Sequence, residues 1–292
     1  MMSGNKNRRE RTRVAIGGLH LLVFCFPAGV HPSHLKQRWN EGLMSFSFNG
    51  LSLRIDQKVG RSCGPRSHSP WWLQEDLQET FDGTGSVVWD GSIYLCELLG
   101  RGGSGGLDPS GLTIVEIGSG TGMLGILCWL SGAKRVIVCD VAEQLPLLQH
   151  NVVLNGIEPC KGLSCTREEE KRCLHVKKCE WGVEEDCAEI VREGRIDLIL
   201  AADVVYGQPR SVLMKLLNSL RWLTSHKGGR IMMTWKERRG PGHENGELEK
   251  EDMWFFNECR KWFDLKEQRI SGKDEEVKLI EMTTRTSEFH VL

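Results

Sequence analysis

At 292 residues the chain is long enough to bury one large core or two small ones. A formal net charge of −1, with 26% charged residues, excludes the strongly basic balance that would draw it to nucleic acid or anionic lipid. Eleven cysteines without a Cys-x-x-Cys pair argue against a secreted disulfide scaffold and point to free thiols in a reducing compartment, the cytoplasm.

Basic residues at Lys6, Arg8, Arg9, Arg11 and Arg13 precede an apolar run from Val14 to Val30, the outline of a signal peptide or weak anchor. Gly17, Gly18, His20 and Pro27 interrupt that run and make it poor for spanning a bilayer. Residues 1–40 are expected to be a disordered extension, with the folded domain over 41–292. From Met44 to Gln57 the pattern MSFSFNGLSLRIDQ alternates apolar and polar around Asn49-Gly50, which predicts a β-hairpin over 44–57. Residues 58–83, with Trp71-Trp72 among Gly, Ser, Pro and charges, read as a loop or insertion. A short helix over 91–100 ends at the glycine run 102–106.

From Leu112 onward apolar runs at 112–117, 135–139, 174–179, 196–201 and 230–235 alternate with amphipathic stretches at 123–132, 142–155, 183–193, 209–225 and 248–263. Repeated βα units predict a parallel sheet with helices on both faces. Two more strands, 264–270 and 277–284, follow with only the short polar loop Ser271-Gly272-Lys273-Asp274 between them, so they should be antiparallel. The expected fold is a Rossmann-like, doubly wound α/β sheet of seven strands, mostly parallel with an antiparallel C-terminal strand. Segments 160–173 and 237–251 are charged and read as surface loops. Cys160, Cys165, Cys173, Cys179 and Cys187 crowd one stretch, but their spacings match no familiar zinc site and no histidine pair accompanies them, so no metal is expected.

The chemistry concentrates at Glu116-Ile117-Gly118-Ser119-Gly120-Thr121-Gly122, between a strand and a helix. Glycines there allow a tight turn and close backbone approach, and the helix N-terminus offers N–H groups. Asp140 lies 20 residues beyond Gly120 at the end of the next strand, where an acid can accept hydrogen bonds from both ribose hydroxyls. An adenosine-containing cofactor follows. The spacing is Gly-x-Gly-x-Gly, not the Gly-x-Gly-x-x-Gly of dinucleotide folds, and Glu116 precedes the first glycine by two. S-adenosylmethionine has no phosphate, and its amino group welcomes a nearby acid or carbonyl. The residues favour it over NAD.

These motifs resemble those of the seven-stranded methyltransferases of family 16, a group of protein-lysine methyltransferases that modify chaperones, AAA ATPases and elongation factors. The resemblance covers about residues 44–292. It rests on Val88-Trp89-Asp90-Gly91-Ser92, on the glycine motif with Asp140, on Trp181-Gly182 and on Ala202-Asp203-Val204-Val205-Tyr206. The Asp-x-x-Tyr at Asp203 and Tyr206 matches the family's signature. The resemblance implies S-adenosyl-L-methionine as cofactor and a protein lysine as methyl acceptor. It places Trp89 and Trp181 at the cofactor and Asp203 and Tyr206 on the acceptor side.

The expected cofactor set is therefore Trp89, Glu116, Gly118, Ser119, Gly120, Gly122, Asp140, Trp181 and Ala202. The expected catalytic pair is Asp203 and Tyr206. An indole can pack on adenine or lie near a sulfonium, although simple core packing would also account for either tryptophan. Asp203 could equally be the N-cap of the helix that follows Pro209. Asn151 and Asn155, four apart, should face one side and brace a loop. The charge run Arg167–Arg172 reads as a solvated loop. A different acceptor (protein histidine or arginine, or a small molecule) and a non-catalytic cofactor-binding scaffold are the alternative readings. A protein substrate, a monomer, and neither nucleic acid nor membrane as partner complete the expectation.

Overall fold

The alternation around Asn49-Gly50 forms the hairpin its pattern predicts, in a computed structural model that describes residues 13–16, 19–25, 42–57, 84–100, 107–160, 172–225, 229–236, 247–269 and 277–285. Asn49 and Gly50 both take positive φ, 49° and 80°, as a two-residue hairpin turn of the favoured twist requires. Within residues 1–40, expected to be disordered, two strands are described, β1 (Arg13–Ile16) and β2 (Leu19–Cys25). They extend the hairpin strands β3 (Leu43–Phe48) and β4 (Leu51–Asp56) into a sheet of order β1-β2-β3-β4. Met44, Phe46, Phe48, Leu53 and Ile55 turn one face of the hairpin into the core of the main domain.

The remaining elements follow in chain order as α1 (Asp90–Gly100), β5 (Thr113–Ile117), α2 (Met123–Leu130), β6 (Arg135–Asp140), α3 (Leu145–Leu154), β7 (Cys173–Lys178), α4 (Glu184–Arg192), β8 (Leu198–Ala202), α5 (Arg210–Thr224), β9 (Arg230–Lys236), α6 (Glu247–Cys259), β10 (Phe263–Arg269) and β11 (Val277–Thr284). The strands β5 to β11 make one seven-stranded sheet of order β10-β11-β9-β8-β5-β6-β7. Pairs within β9-β8-β5-β6-β7 are parallel, and β11 runs antiparallel to both β9 and β10. The expected fold class holds. The insertion at 58–83, the glycine run 102–106 and the loop 271–274 lie outside the described residues.

Strands buried on both faces read as continuous apolar runs, and these do. Ile114, Val136, Val138, Leu198 and Leu200 pack under α1, α2, α3 and the hairpin. Val115, Ile117, Ile137, Cys139, Ile199 and Ala201 pack under α4, α5 and α6. The chain winds outward from β5 through β6 to β7, then returns to β8 on the other side of β5 and continues to β9. The strand order therefore reverses between β5 and β8, and an open parallel sheet binds its ligand outside the carboxyl ends at such a reversal.

One residue of the charge run is exposed and yet held in place. Arg172, the last of the charge run, donates to the carbonyl oxygens of Ala133 (2.9 Å) and Trp129 and stacks on the Trp129 ring at 4.5 Å. The rest of that run lies outside the described residues.

Candidate active site

At the strand reversal the carboxyl ends of three neighbouring strands are half-buried, at Gly118 after β5, Asp140 on β6 and Ala202 on β8. Gly118 has φ +63° and Gly120 φ +55°, a region that disfavours any side chain. Space excludes one as well. A Cβ on Gly118 would lie 2.9 Å from Val204 Cγ1 and 3.2 Å from Trp181 Cζ2, and one on Gly120 would lie 2.9 Å from Gly85 O. The turn thus passes between the Trp181 loop and the segment Thr84–Ser86.

Asp140 Oδ2 accepts the Gly120 N–H at 2.8 Å and Oδ1 accepts the Val141 N–H at 2.8 Å. These two bonds fix the direction of the carboxylate at the carboxyl end of β6. The chain fits an adenosine cofactor on that ground, together with the side-chain-free cradle at Gly118. Trp89 and Trp181 are both half-buried at the rim. The Trp89 indole N–H donates to Thr84 O at 2.8 Å, so its ring faces are what it can offer a ligand.

Three members of the expected cofactor set serve the turn itself. Alternation along β5 sends Glu116 to the α2 face, where it is 1% exposed and accepts the Gly125 N–H at 2.9 Å. Burial pushes its carboxyl up to about 8, against the lowering effect of hydrogen bonds from Gly125 and Ser119. The carboxyl thus lies under α2, where burial favours its protonated form. Ser119 Oγ donates to Glu116 O (2.8 Å) and accepts from Cys139 N (2.9 Å), tying the ends of β5 and β6 together. Gly122 is the N-cap of α2, and a Cβ there would meet Leu148 Cδ1 at 2.4 Å, on the α3 side.

Asp203 follows β8 directly, is buried, and has φ +57°. The other non-glycine residue with positive φ among those described is the hairpin's Asn49. Asp can occupy this region, at a cost on the order of 1–3 kcal/mol that functional sites commonly store. Its N–H is held by Thr234 O (3.1 Å) and Thr234 Oγ1 (3.2 Å). From the other side α1 presses in so closely that a Cβ on Gly91 would stand 2.8 Å from Asp203 Cβ. The N-cap of α5 is Pro209, so Asp203 does not cap that helix. Gln208 instead shapes the loop, accepting Tyr206 N and donating to Val204 O, each at 2.7 Å. Asp252 anchors it from α6, accepting Gly207 N and the Trp235 indole N–H, each at 2.8 Å. The half-buried Tyr206 brings its hydroxyl to 3.5 Å from Thr84 Oγ1, so acceptor loop and Thr84 segment meet across the cleft. Asp90 of the same motif pairs with Lys236 at 2.7 Å, fixing the start of α1 to the end of β9.

Four further side chains position the segments around the site, and two of them, Gln144 and Gln57, gave no sequence signal. Gln144 is 1% exposed and its amide donates to Gly85 O (2.7 Å) and Gly120 O (3.0 Å), clamping the Thr84 segment onto the glycine turn. Gln57 accepts Val88 N at 2.6 Å, so the hairpin braces the Trp89 segment. Asn151 accepts Asp56 N (2.8 Å) and donates to Asp56 O (3.0 Å) and Thr121 O (2.9 Å). Asn155 accepts Arg54 N (2.7 Å) and donates to Arg54 O (2.6 Å). The asparagines do face one side, and what they brace is β4. Gln144→Ala should lower stability by about 1–3 kcal/mol, because two buried carbonyls lose their donor. Urea melts of variant and parent check this, and an unchanged midpoint would show that the clamp is idle.

A family model described as lysine methyltransferase matches residues 69–262. The mouse protein-lysine methyltransferase METTL21E is 32% identical over 191 residues, 65% of this chain and 68% of that protein. The zebrafish (Danio rerio) protein N-lysine methyltransferase METTL21A is 32% identical over 143 residues, 49% of this chain and 57% of that protein. Mouse EEF1A lysine methyltransferase 3 is 32% identical over 162 residues, 56% of this chain and 60% of that protein. The matches thus span about two thirds of the first of these relatives and somewhat over half of the other two.

Proposed function

We propose that this chain, which belongs to the lysine methyltransferase family, carries out its methyl transfer at the carboxyl ends of β5, β6 and β8, with Asp203 and Tyr206 on the acceptor side. It is an S-adenosylmethionine-dependent enzyme whose acceptor is the side-chain amine of a lysine in a protein. The cofactor, when bound, supplies a methyl group on a positively charged sulfur. The single observation that carries the site assignment is the backbone of Asp203. A buried carboxylate is held at positive φ one residue beyond β8, beside the glycine cradle, and the N-cap of α5 is Pro209.

A free lysine has a pKa near ~10.4 and is almost wholly ammonium at neutral pH, without the lone pair that attack requires. Asp203 binds and orients that amine. Burial favours loss of its proton, while the carboxylate alone would oppose it, so the pocket must balance the two. Tyr206 shapes the channel. Gly118, Gly120, Asp140, Trp89, Trp181 and Ala202 hold the cofactor, and in-line displacement asks of them chiefly geometry. The acceptor protein belongs to the chaperone, AAA ATPase or elongation factor class, and a relative named for EEF1A supports the last. The eight described cysteines are all thiols, which supports the cytoplasm as the compartment.

Incubation with labelled cofactor and a cell lysate, followed by mass spectrometry of the labelled band, tests the reading. A label on a lysine side chain of a protein is the expected result, and a label on histidine, arginine or small molecules would overturn it. The cofactor assignment has its own test. Asp140→Ala should weaken S-adenosylmethionine binding by about 1.5–3 kcal/mol through loss of charge-assisted hydrogen bonds. Calorimetry on parent and variant reads this directly, and equal affinities would remove Asp140 from the ribose.

A further inference from the structure

Away from the cleft, toward the amino end of edge strand β7, two thiols and an imidazole converge. One ligand atom from each of Cys160, Cys173 and His175 lies within 4.8 Å of the other two. Cys173 and His175 alternate on the same face of β7, and both are buried. Cys160, half-buried, arrives from the segment after α3, where its N–H donates to Leu174 O at 2.8 Å. The backbone therefore holds the thiols together across the twelve residues that separate them in sequence. In a tetrahedral zinc site the ligand atoms stand about 3.5 Å apart, so closure needs about 1 Å of movement at most.

We propose that Cys160, Cys173 and His175 bind one zinc ion through two thiolates and one imidazole, a structural site that fastens the segment after α3 to the edge of the main sheet. The ligand chemistry selects the ion. Two soft sulfurs and a nitrogen, with no carboxylate among them, suit zinc and not calcium or magnesium. Each thiol gives up its proton on binding, so two protons are released and the two thiolates balance the ion's two positive charges. Such a neutral unit suits a largely buried position. Beside the imidazole ring stands a second feature of metal sites. The buried Glu193 carboxylate places Oε2 at 3.8 Å from His175 Nε2 and Oε1 at 3.0 Å from Lys177 Nζ. At 3.8 Å the two groups do not hydrogen-bond, and an approach of under 1 Å would let the ring N–H donate to the carboxylate, as metal-bound histidines commonly do. Spacing alone did not suggest the group, because Cys-x12-Cys-x-His is not a familiar pattern and Cys160 joins it only through pairing along the strand edge.

The test uses the full-length chain, reduced and stripped of metal, titrated with cobalt(II) as a spectroscopic stand-in for zinc. The expected result is one equivalent bound, with a thiolate-to-cobalt charge-transfer band that added zinc abolishes. Cys160→Ser, a change at a half-buried position, should lower cobalt affinity at least tenfold while S-adenosylmethionine affinity stays within twofold. Cys187→Ser is the control, since that thiol lies in a separate buried contact with Cys179 at 3.9 Å, and it should leave the band unchanged. Absence of the band in the parent chain would overturn the proposal. So would a band that survives Cys160→Ser or one that disappears with Cys187→Ser.

Discussion

Asp203→Ala is expected to abolish methyl transfer, with a loss of two or more decades in rate, while affinity for S-adenosylmethionine stays within a few-fold. An oriented charged contact to the reacting amine is worth several kcal/mol at the barrier, and each 1.36 kcal/mol is tenfold. The carboxylate sits beyond the glycine cradle, not in it, so the cofactor contacts should survive. Stability should fall modestly, because alanine must still adopt φ +57°, a region it tolerates less well than aspartate. Tyr206→Phe should cost less, since the ring continues to shape the channel. Turnover, calorimetry and a thermal melt on the same preparation separate these effects. Full activity in Asp203→Ala would remove the residue from the chemistry.

A second large effect is expected from Glu116→Gln, read in stability against pH. In the folded chain burial holds the Glu116 carboxyl protonated up to about 8, against an ordinary value of 4.5. Between those values the folded state carries a proton that the unfolded chain has released. The resulting stabilisation is complete below the ordinary value and is lost as pH rises toward about 8. The span amounts to a decline on the order of 4 kcal/mol for the parent protein. Glutamine keeps an acceptor for Gly125 N–H and carries no proton to lose, so the variant's stability should stay nearly flat over the same range. Urea denaturation at pH 5 and pH 9 compares the two. Parallel slopes would show that Glu116 ionises without penalty and that the burial argument fails.

The sheet was legible because strands covered on both faces need unbroken apolar runs, and each run stands between helices that vary around one wet face. The predicted bounds of β5, β6, β7, β8 and β9 lie within one or two residues of the observed ones. Asp140 was legible because a strand–turn–helix–strand unit puts it a fixed distance beyond Gly120. The role of Glu116 was not, because period-two alternation gives two faces without saying which one a helix covers. The cap reading of Asp203 could not be separated from the catalytic one in sequence, since both want a small acid ahead of a proline. In three dimensions the N-cap of α5 is Pro209, which removes the cap reading for that helix. The role of Gln144, and which strand the two asparagines would brace, were opaque for another reason. Their partners lie 24 to about 100 residues away, and a polar residue on a helix carries no mark of what it will touch.

A sheet with an open edge strand invites company, since its outer backbone groups can pair with any strand that drifts past. Along β4 that margin is already taken. A carboxamide presents a donor and an acceptor much as a peptide group does, and Asn151 and Asn155 each engage both backbone groups of one residue, Asp56 and Arg54. Four residues of helix advance about 6 Å and two residues of strand about 6.7 Å, so the two rows keep step over this short stretch. Helix α3 thus impersonates a neighbouring strand, and an intruder from another molecule finds the berth occupied. Protection against fibrous association here resides in two amides on a helix, and losing both would be felt first in how the molecules treat one another in concentrated solution.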